Sequence, residues 1–199
     1  VLLHLSLFSQ RQLTVKTNPL KLIDINKIHL PIGLEYKMGD FSIQVEQSLL
    51  LSRHTLFGYR ENTNYSRTDL QFRYYPKKEL LGGIKEFVGI QGSFFQRDFI
   101  QEEGVFINSE GINSSYDESN VEIRNFSAYG IAGFKARISA KWDFESTVGL
   151  GVRELSVSHD AELVENKEVL DLNILFDPDR RIEGTRTIPG FLFELRLNY

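Results

Sequence analysis

Histidine is the side chain best suited to proton transfer near neutral pH, and the chain contains 4 of them. His159 stands between Ser158 and Asp160, so the three residue types of a serine hydrolase occur in one short segment. Neighbouring residues of a β-strand point to opposite faces, however, so Ser158 and His159 are not expected to meet. His29 falls at the start of a predicted strand and His54 in a long predicted loop. We therefore expect no catalytic residues and no enzymatic activity.

Other kinds of site have little support in the sequence. The chain has no Cys, and its His, Asp and Glu residues show no metal-ligand spacing, so we expect no metal and no cofactor. A formal net charge of −4 gives no basic excess for a nucleic-acid partner. No apolar run approaches the roughly 18 residues that a membrane-spanning helix needs.

The more informative charges alternate with apolar residues along predicted strands. Residues 190–199 place Phe191, Phe193 and Leu195 on one strand face and Glu194 and Arg196 on the other. A strand that separates lipid from a polar lumen has this pattern. Charges enclosed in a narrow barrel must pair, so we predict an interior network and a plugged lumen. The predicted network comprises Lys16, Glu35, Glu46, Arg73, Lys135, Arg137, Asp143, Glu145, Glu194 and Arg196.

The elements that position these charges are eight strands with period-2 alternation. They are predicted at Leu13–Asn18, Ile28–Lys37, Phe41–Leu51, Thr68–Pro76, Glu86–Ile100, Val121–Ile138, Lys141–His159 and Gly190–Tyr199. Tight connections at residues 38–40 and 139–140 contrast with long polar ones at 19–27, 52–67, 101–120 and 160–189. Short turns at one end and long loops at the other are typical of outer-membrane barrels. The predicted fold is an all-β, eight-stranded antiparallel up-and-down transmembrane β-barrel.

The aromatic residues give a second indication of a membrane. Five of them lie on the apolar strand faces, each near a short turn or the last residue: Tyr36, Phe41, Tyr74, Trp142 and Tyr199. We predict that they form an aromatic ring at the membrane interface, where amphipathic rings are favoured. Tyr199 is also expected to act as a signal for insertion into the outer membrane. Phe87 departs from the pattern, because it falls on the predicted inner face.

The organisation of the chain follows from these strands. Residues 1–10 combine an apolar run with a small-residue end, and we interpret them as a residual signal peptide. An ordinary first strand is the alternative. Residues 11–199 then form a single barrel domain.

A family resemblance rests on short motifs. The segment Val15-Lys16-Thr17-Asn18-Pro19-Leu20, followed by Gly33-Leu34-Glu35-Tyr36, resembles an uncharacterised family of Gram-negative outer-membrane proteins. The strand layout is also similar to the small OmpA/OmpX-type barrels. The resemblance implies an outer-membrane location and a barrel fold, and it implies no established activity.

Three functions are compatible with the sequence. We favour a structural or interaction protein with four surface loops, for which a role as an accessory subunit of a larger outer-membrane assembly is one form. Its partners would be outer-membrane lipid, lipopolysaccharide and a partner membrane protein. The alternatives are a soluble lipocalin-like ligand-binding barrel and a lipid-modifying barrel enzyme. The lipid A deacylase barrels carry His-x-Ser on a strand, whereas this chain has Ser156-x-Ser158-His159.

Overall fold

The computed structural model describes residues 11–19, 28–52, 54–55, 58–59, 64–77, 84–164 and 181–199. Its regular structure is almost entirely β-strand. The strands are β1 (Arg11–Thr17), β2 (Ile28–Met38), β3 (Phe41–Ser52), β4 (His54–Thr55), β5 (Gly58–Tyr59), β6 (Asn64–Tyr74), β7 (Ile84–Ile107), β8 (Asn113–Arg137), β9 (Asp143–Val164) and β10 (Gly184–Asn198). The described residues include no helix long and apolar enough to cross a membrane. The predicted signal peptide, residues 1–10, lies outside the described residues.

Eight of these strands form one antiparallel sheet that closes on itself in the order β1-β10-β9-β8-β7-β6-β3-β2. Each strand therefore pairs with its neighbours in the sequence, apart from the small hairpin β4–β5. Backbone hydrogen bonds between Val15 and Tyr199 close the ring, at 3.2 and 2.9 Å. This arrangement confirms the predicted all-β class and the eight antiparallel up-and-down strands.

All eight predicted strands occur, and each is longer than expected, with the largest differences in β7, β8 and β10. The predicted loop over residues 101–120 is mostly strand, since β7 continues to Ile107 and β8 begins at Asn113. Gly111, with a φ of 81°, closes the short turn between them. Most residues of this segment are polar, with Phe106 and Tyr116 as its buried aromatic side chains, and this polarity led to the wrong prediction of a loop.

The two ends of the ring differ. We call the end with the Gly39–Asp40 turn and the 138–142 connection the turn end, and the opposite end the loop end. At the loop end, β7, β8 and β9 extend past the last residues that pair with β6 and β10. We call this part, residues 99–107, 113–121 and 158–164, the sheet extension. Ile182 and Glu183 pair with Ile107 at its tip.

The distribution of side chains in the ring is inverted relative to a soluble sheet. The interior holds buried charged and amide side chains, among them Lys16, Gln44, Glu46, Arg73 and Arg196. Large apolar side chains are exposed on the outer face, and every one of the eight ring strands contributes at least two. We call this outer surface the apolar band: Leu13, Val15, Ile32, Leu34, Phe41, Val45, Leu49, Leu70, Phe72, Tyr74, Val88, Ile90, Phe94, Phe126, Phe134, Val148, Leu150, Val152, Phe191 and Phe193.

The sheet extension shows the opposite distribution. Its inner face buries Phe99, Phe106, Tyr116 and Val121. Phe99 and Val121 belong to a cluster that continues into the ring through Ile123, Leu155 and Val157. Exposed acidic side chains occur along the same strands: Glu102, Glu103, Asp117, Glu118 and Asp160.

Candidate functional site

The carboxylate of Glu145, on β9, lies at the centre of the polar interior. Lys16 of β1 places its Nζ 2.6 Å from Glu145 Oε2. Arg73 of β6 donates to both carboxylate oxygens, at 2.9 and 2.7 Å. Arg196 of β10 adds a longer contact at 3.4 Å, and Asn198 donates its amide at the same distance. One carboxylate thus connects three cations from three different strands.

Glu35 of β2 is the second acceptor for two of these cations, Lys16 and Arg73. Its carboxylate lies 3.0 Å from Lys16 Nζ and 3.6 Å from Arg73 Nη1. The hydroxyls of Ser42 and Tyr75 also donate to it, at 2.6 and 2.7 Å. Because these groups come from β1, β3 and the end of β6, the contacts link several strands at the turn end of the ring.

Arg196 carries the network toward the loop end. Its Nε donates to Glu46 of β3 at 3.0 Å, and its Nη2 contacts Glu194 on the same strand. We call Lys16, Glu35, Glu46, Arg73, Glu145, Glu194 and Arg196 the central network. Each of the seven has no more than 2% of its surface exposed, so solvent barely reaches any of these charges.

Amide side chains complete the network, and sequence reasoning missed the most connected one. Gln71 accepts a hydrogen bond from Arg73 Nε at 2.7 Å and donates to Gln91 at 2.5 Å and to Glu194 at 3.4 Å. Gln44 accepts from Lys16 at 2.9 Å. Gln71 stands two residues from Arg73 on the same strand, so the alternation that predicted Arg73 was also a signal for Gln71.

The three remaining predicted network residues form a separate group at the turn end. Lys135 Nζ lies 3.3 Å from Asp143, and Arg137 also pairs with Asp143. These side chains are more accessible than the central network, and that of Arg137 is 64% exposed. The structure therefore brings together seven of the predicted residues and places the other three at the mouth of the ring.

The central network contains four carboxylates and three cations, all with partners. Removing ions from water costs several kcal/mol each, and close opposite charges with extra hydrogen bonds offset that cost. An eight-stranded ring encloses only enough space for side chains. The network therefore forms a stable, nearly neutral polar core inside the ring, next to a smaller buried apolar cluster of Tyr75, Phe87, Tyr129, Ile131 and Leu192. It presents no free nucleophile or general base to a substrate.

One group among the described residues has the spacing of a cation site. The carboxylates of Glu46, Asp69 and Glu194 have oxygens within 4.8 Å of one another. Arg67 Nε binds both oxygens of Asp69 at 3.1 Å, while Arg196 binds Glu46 and Glu194. The arginines supply the positive charge that a metal would otherwise provide, so the group belongs to the interior network.

His29 and His159 pack against aromatic side chains. His29 is buried and stacks near Tyr65, with ring centroids 4.9 Å apart. His159 stacks on Phe106 at 4.1 Å, and its Nδ1 lies 3.4 Å from Ser119 Oγ. Ser119 is only 1% exposed, so a substrate has no access to its hydroxyl. Ser158 is exposed, and His159 contacts Ser119 rather than its neighbour.

The predicted aromatic ring lies at the turn end as two pairs and a single tyrosine. Phe41 and Tyr74 have ring centroids 5.2 Å apart, and Trp142 and Tyr199 have centroids 5.3 Å apart. These four are exposed on the outer face, and Tyr36 is partly exposed on β2. Phe87 is buried inside, with the Arg73 guanidinium 4.2 Å from its ring centroid. Its inward position, unusual in the sequence, provides a cation–π contact for the network.

Comparison of the chain with family models, with curated proteins and with solved structures gives no match. The function must therefore be inferred from the residues themselves.

Proposed function

We propose that this chain is a non-enzymatic outer-membrane β-barrel with a plugged interior and a structural or interaction role. The observation that carries the proposal is the inverted distribution of side chains. A soluble eight-stranded barrel that binds an apolar ligand needs an apolar interior and a polar exterior. Here most of the interior is lined by charged and amide side chains, with a smaller apolar cluster, and all eight strands expose large apolar side chains on the exterior. Such a surface is stable in lipid and unstable in water.

The height of the apolar band supports the proposal. On β10 the band and its flanking ring run from Phe191 to Tyr199. At about 3.4 Å per residue and a tilt of about 40°, this segment rises about 20 Å along the ring axis. Outer-membrane barrels have an apolar band about 25 Å tall, flanked by aromatic residues. Phe41, Tyr74, Trp142 and Tyr199 would then lie at one interface, with the turn end facing the periplasm.

The filled interior supports a plugged barrel in preference to a channel. Arg196, Glu46, Glu145, Gln44 and Gln71 each have 0% of their surface exposed, so no water-filled path runs between them. We expect that the protein reconstituted in a planar lipid bilayer produces no stepwise ion conductance. Stable conductance steps in a preparation free of porins would contradict the plug while leaving the membrane location intact.

The interaction role rests on the loop end and on β8. The sheet extension would project beyond the membrane with its acidic outer side chains toward lipopolysaccharide and solvent. In the apolar band, Ala128, Gly130 and Ala132 of β8 leave a stretch without bulky side chains. A partner membrane protein could approach the wall closely there, as an accessory-subunit role requires. Gly130→Phe should then abolish co-purification of that partner while leaving the barrel folded.

The membrane assignment is tested by fractionation and by electrophoresis with and without heating. The full chain expressed in a Gram-negative host should sediment with the outer membrane and need detergent for extraction. Its unheated form should migrate differently from the heated form, because heat opens the closed ring of hydrogen bonds. A soluble monomer recovered without detergent would contradict the proposal and favour a ligand-binding barrel.

A further inference from the structure

A cavity of about 80 Å³ opens inside the ring at the turn end, beyond Glu35 and the central network. Its charged lining consists of Lys37, Lys85, Lys135, Arg137, Glu35 and Asp143. A single water needs about 10–15 Å³ of such space, so the cavity has room for a group several times larger. The described strands therefore leave a small, highly charged chamber at this mouth.

Both acids of the cavity are already engaged. Glu35 is bound by Lys16 and Arg73 of the central network and by the hydroxyls of Ser42 and Tyr75. Asp143 is shared by Lys135 and Arg137. Four cations and two acids line the cavity, so its walls carry an excess of two positive charges.

The cations are also held close to one another. Lys85 of β7 and Lys135 of β8 are directly opposite in the strand register. Like charges in such positions repel and destabilise the sheet. Lys37 lies near enough to both to be repelled by them, and its ammonium sits 4.3 Å from the Tyr75 ring centroid. An anion between these side chains would remove the repulsion.

We propose that this mouth is a binding site for a phosphate group. Free phosphate carries nearly two negative charges at neutral pH, which matches the excess charge of the walls, and the phosphodiester of a phospholipid carries one, which offsets about half of it. Its oxygens accept hydrogen bonds from ammonium groups and from the guanidinium of Arg137. The phosphate comes either from a free anion or from a phospholipid headgroup at the adjoining membrane surface.

The test measures binding of inorganic pyrophosphate to the full chain in an uncharged detergent by isothermal titration calorimetry. In a second arm, tryptophan fluorescence of the protein in micelles of the same uncharged detergent, which contains no phosphate, is compared with and without added phosphatidylglycerol. Lys85→Gln is the main variant, since Lys85 is exposed and its loss removes a repulsion without opening the core. Lys37→Gln is the second cavity variant. Lys77→Gln is the control, because Lys77 lies at the same end outside the cavity, 3.6 Å from Asp40.

We expect each cavity variant to weaken binding about tenfold, equal to about 1.4 kcal/mol, while the control binds as the native chain does. If pyrophosphate binds the native chain and the control but binds the cavity variants more weakly, a free anion is sufficient to occupy the site. A response to phosphatidylglycerol alone, again lost in the cavity variants, identifies the headgroup. Absence of both responses, or equal binding by cavity variants and control, would overturn the proposed site. Heat-dependent mobility of every variant separates this result from loss of the barrel itself.

Discussion

The ring and the sheet extension are built from the same strands, yet they distribute polarity in opposite ways. On β9, Leu150 lies on the outer face of the ring, and Asp160 is exposed on the extension ten residues later. Inside, Glu145 is buried among cations, whereas Leu155 and Val157, at the loop end of the ring, are buried in the apolar cluster that continues into the extension. The reversal takes place within one continuous strand, without a turn or a break.

This difference is what the proposed membrane location of the ring predicts. The side chains on the inner face of a sheet are those that are least stable in the surroundings of its outer face. Water outside the extension favours an apolar inner face, and the proposed lipid outside the ring favours a polar one. The position at which the outer face changes, between Val152 and Glu154 on β9, then marks the proposed membrane boundary. Substitutions on either side of that boundary should have opposite consequences.

The largest effect should come from the polar interior of the ring. Glu145→Leu leaves Lys16, Arg73 and Arg196 buried without their shared acceptor, and should cost about 3–5 kcal/mol. Urea unfolding of the protein inserted in lipid vesicles measures the loss. Exposed Glu154 on the same strand is the control, and Glu154→Gln should change the stability little. Equal stability of the two variants would show that the network is not essential to the ring.

The next largest effect should come from the outer face. Leu150→Arg places a charge in the apolar band and should destabilise the inserted protein by about 2–4 kcal/mol. Asp160→Arg introduces the same side chain on the extension and should be nearly neutral. The measurement is again unfolding in vesicles, together with the inserted fraction. If Leu150→Arg is tolerated as well as Asp160→Arg, the band does not face lipid.

A smaller effect should come from the apolar cluster at the base of the extension. Ile123 is 1% exposed, so Ile123→Val leaves a small cavity and should cost about 0.5–1.5 kcal/mol. Ile90→Val removes the same methylene from the outer band, where no cavity forms, and should cost less. Thermal unfolding in one detergent compares the two. A larger loss at Ile90 would mean that the band is packed against protein.

The smallest effect should come from an exposed ion pair near the proposed boundary. The side chains of Arg124 and Glu122 are 59% and 35% exposed, and such pairs contribute about 0.2–1 kcal/mol. Arg124→Ala should lower stability within that range at low salt and have no effect at high salt. The central network is shielded from ions, so the loss caused by Glu145→Leu should persist at high salt. If the loss of stability caused by Glu145→Leu became smaller at high salt, solvent ions would have to reach the interior.

The sequence by itself determined the strand faces and the number of ring strands. Alternation is a local property, because successive side chains of a strand point to opposite sides whatever the strand packs against. Glu194 and Arg196 could therefore be assigned to one face and Phe191 and Phe193 to the other. The same alternation singled out Phe87 as an inward aromatic. Element lengths were less well predicted where the pattern reversed, as between residues 101 and 120.

Only the tertiary structure decided which charges meet. Lys16 and Glu145 are 129 positions apart in the chain, and their 2.6 Å contact depends on how the strands stagger around the ring. That stagger also separates Lys135, Arg137 and Asp143 from the central network and leaves a cavity between the two groups. The local alternation of residue types determines which face of a strand a side chain lies on. Its position along the axis of the ring depends on the registers of all the strand pairs together. This is why the sequence predicted a charged interior and could not locate its centre at Glu145.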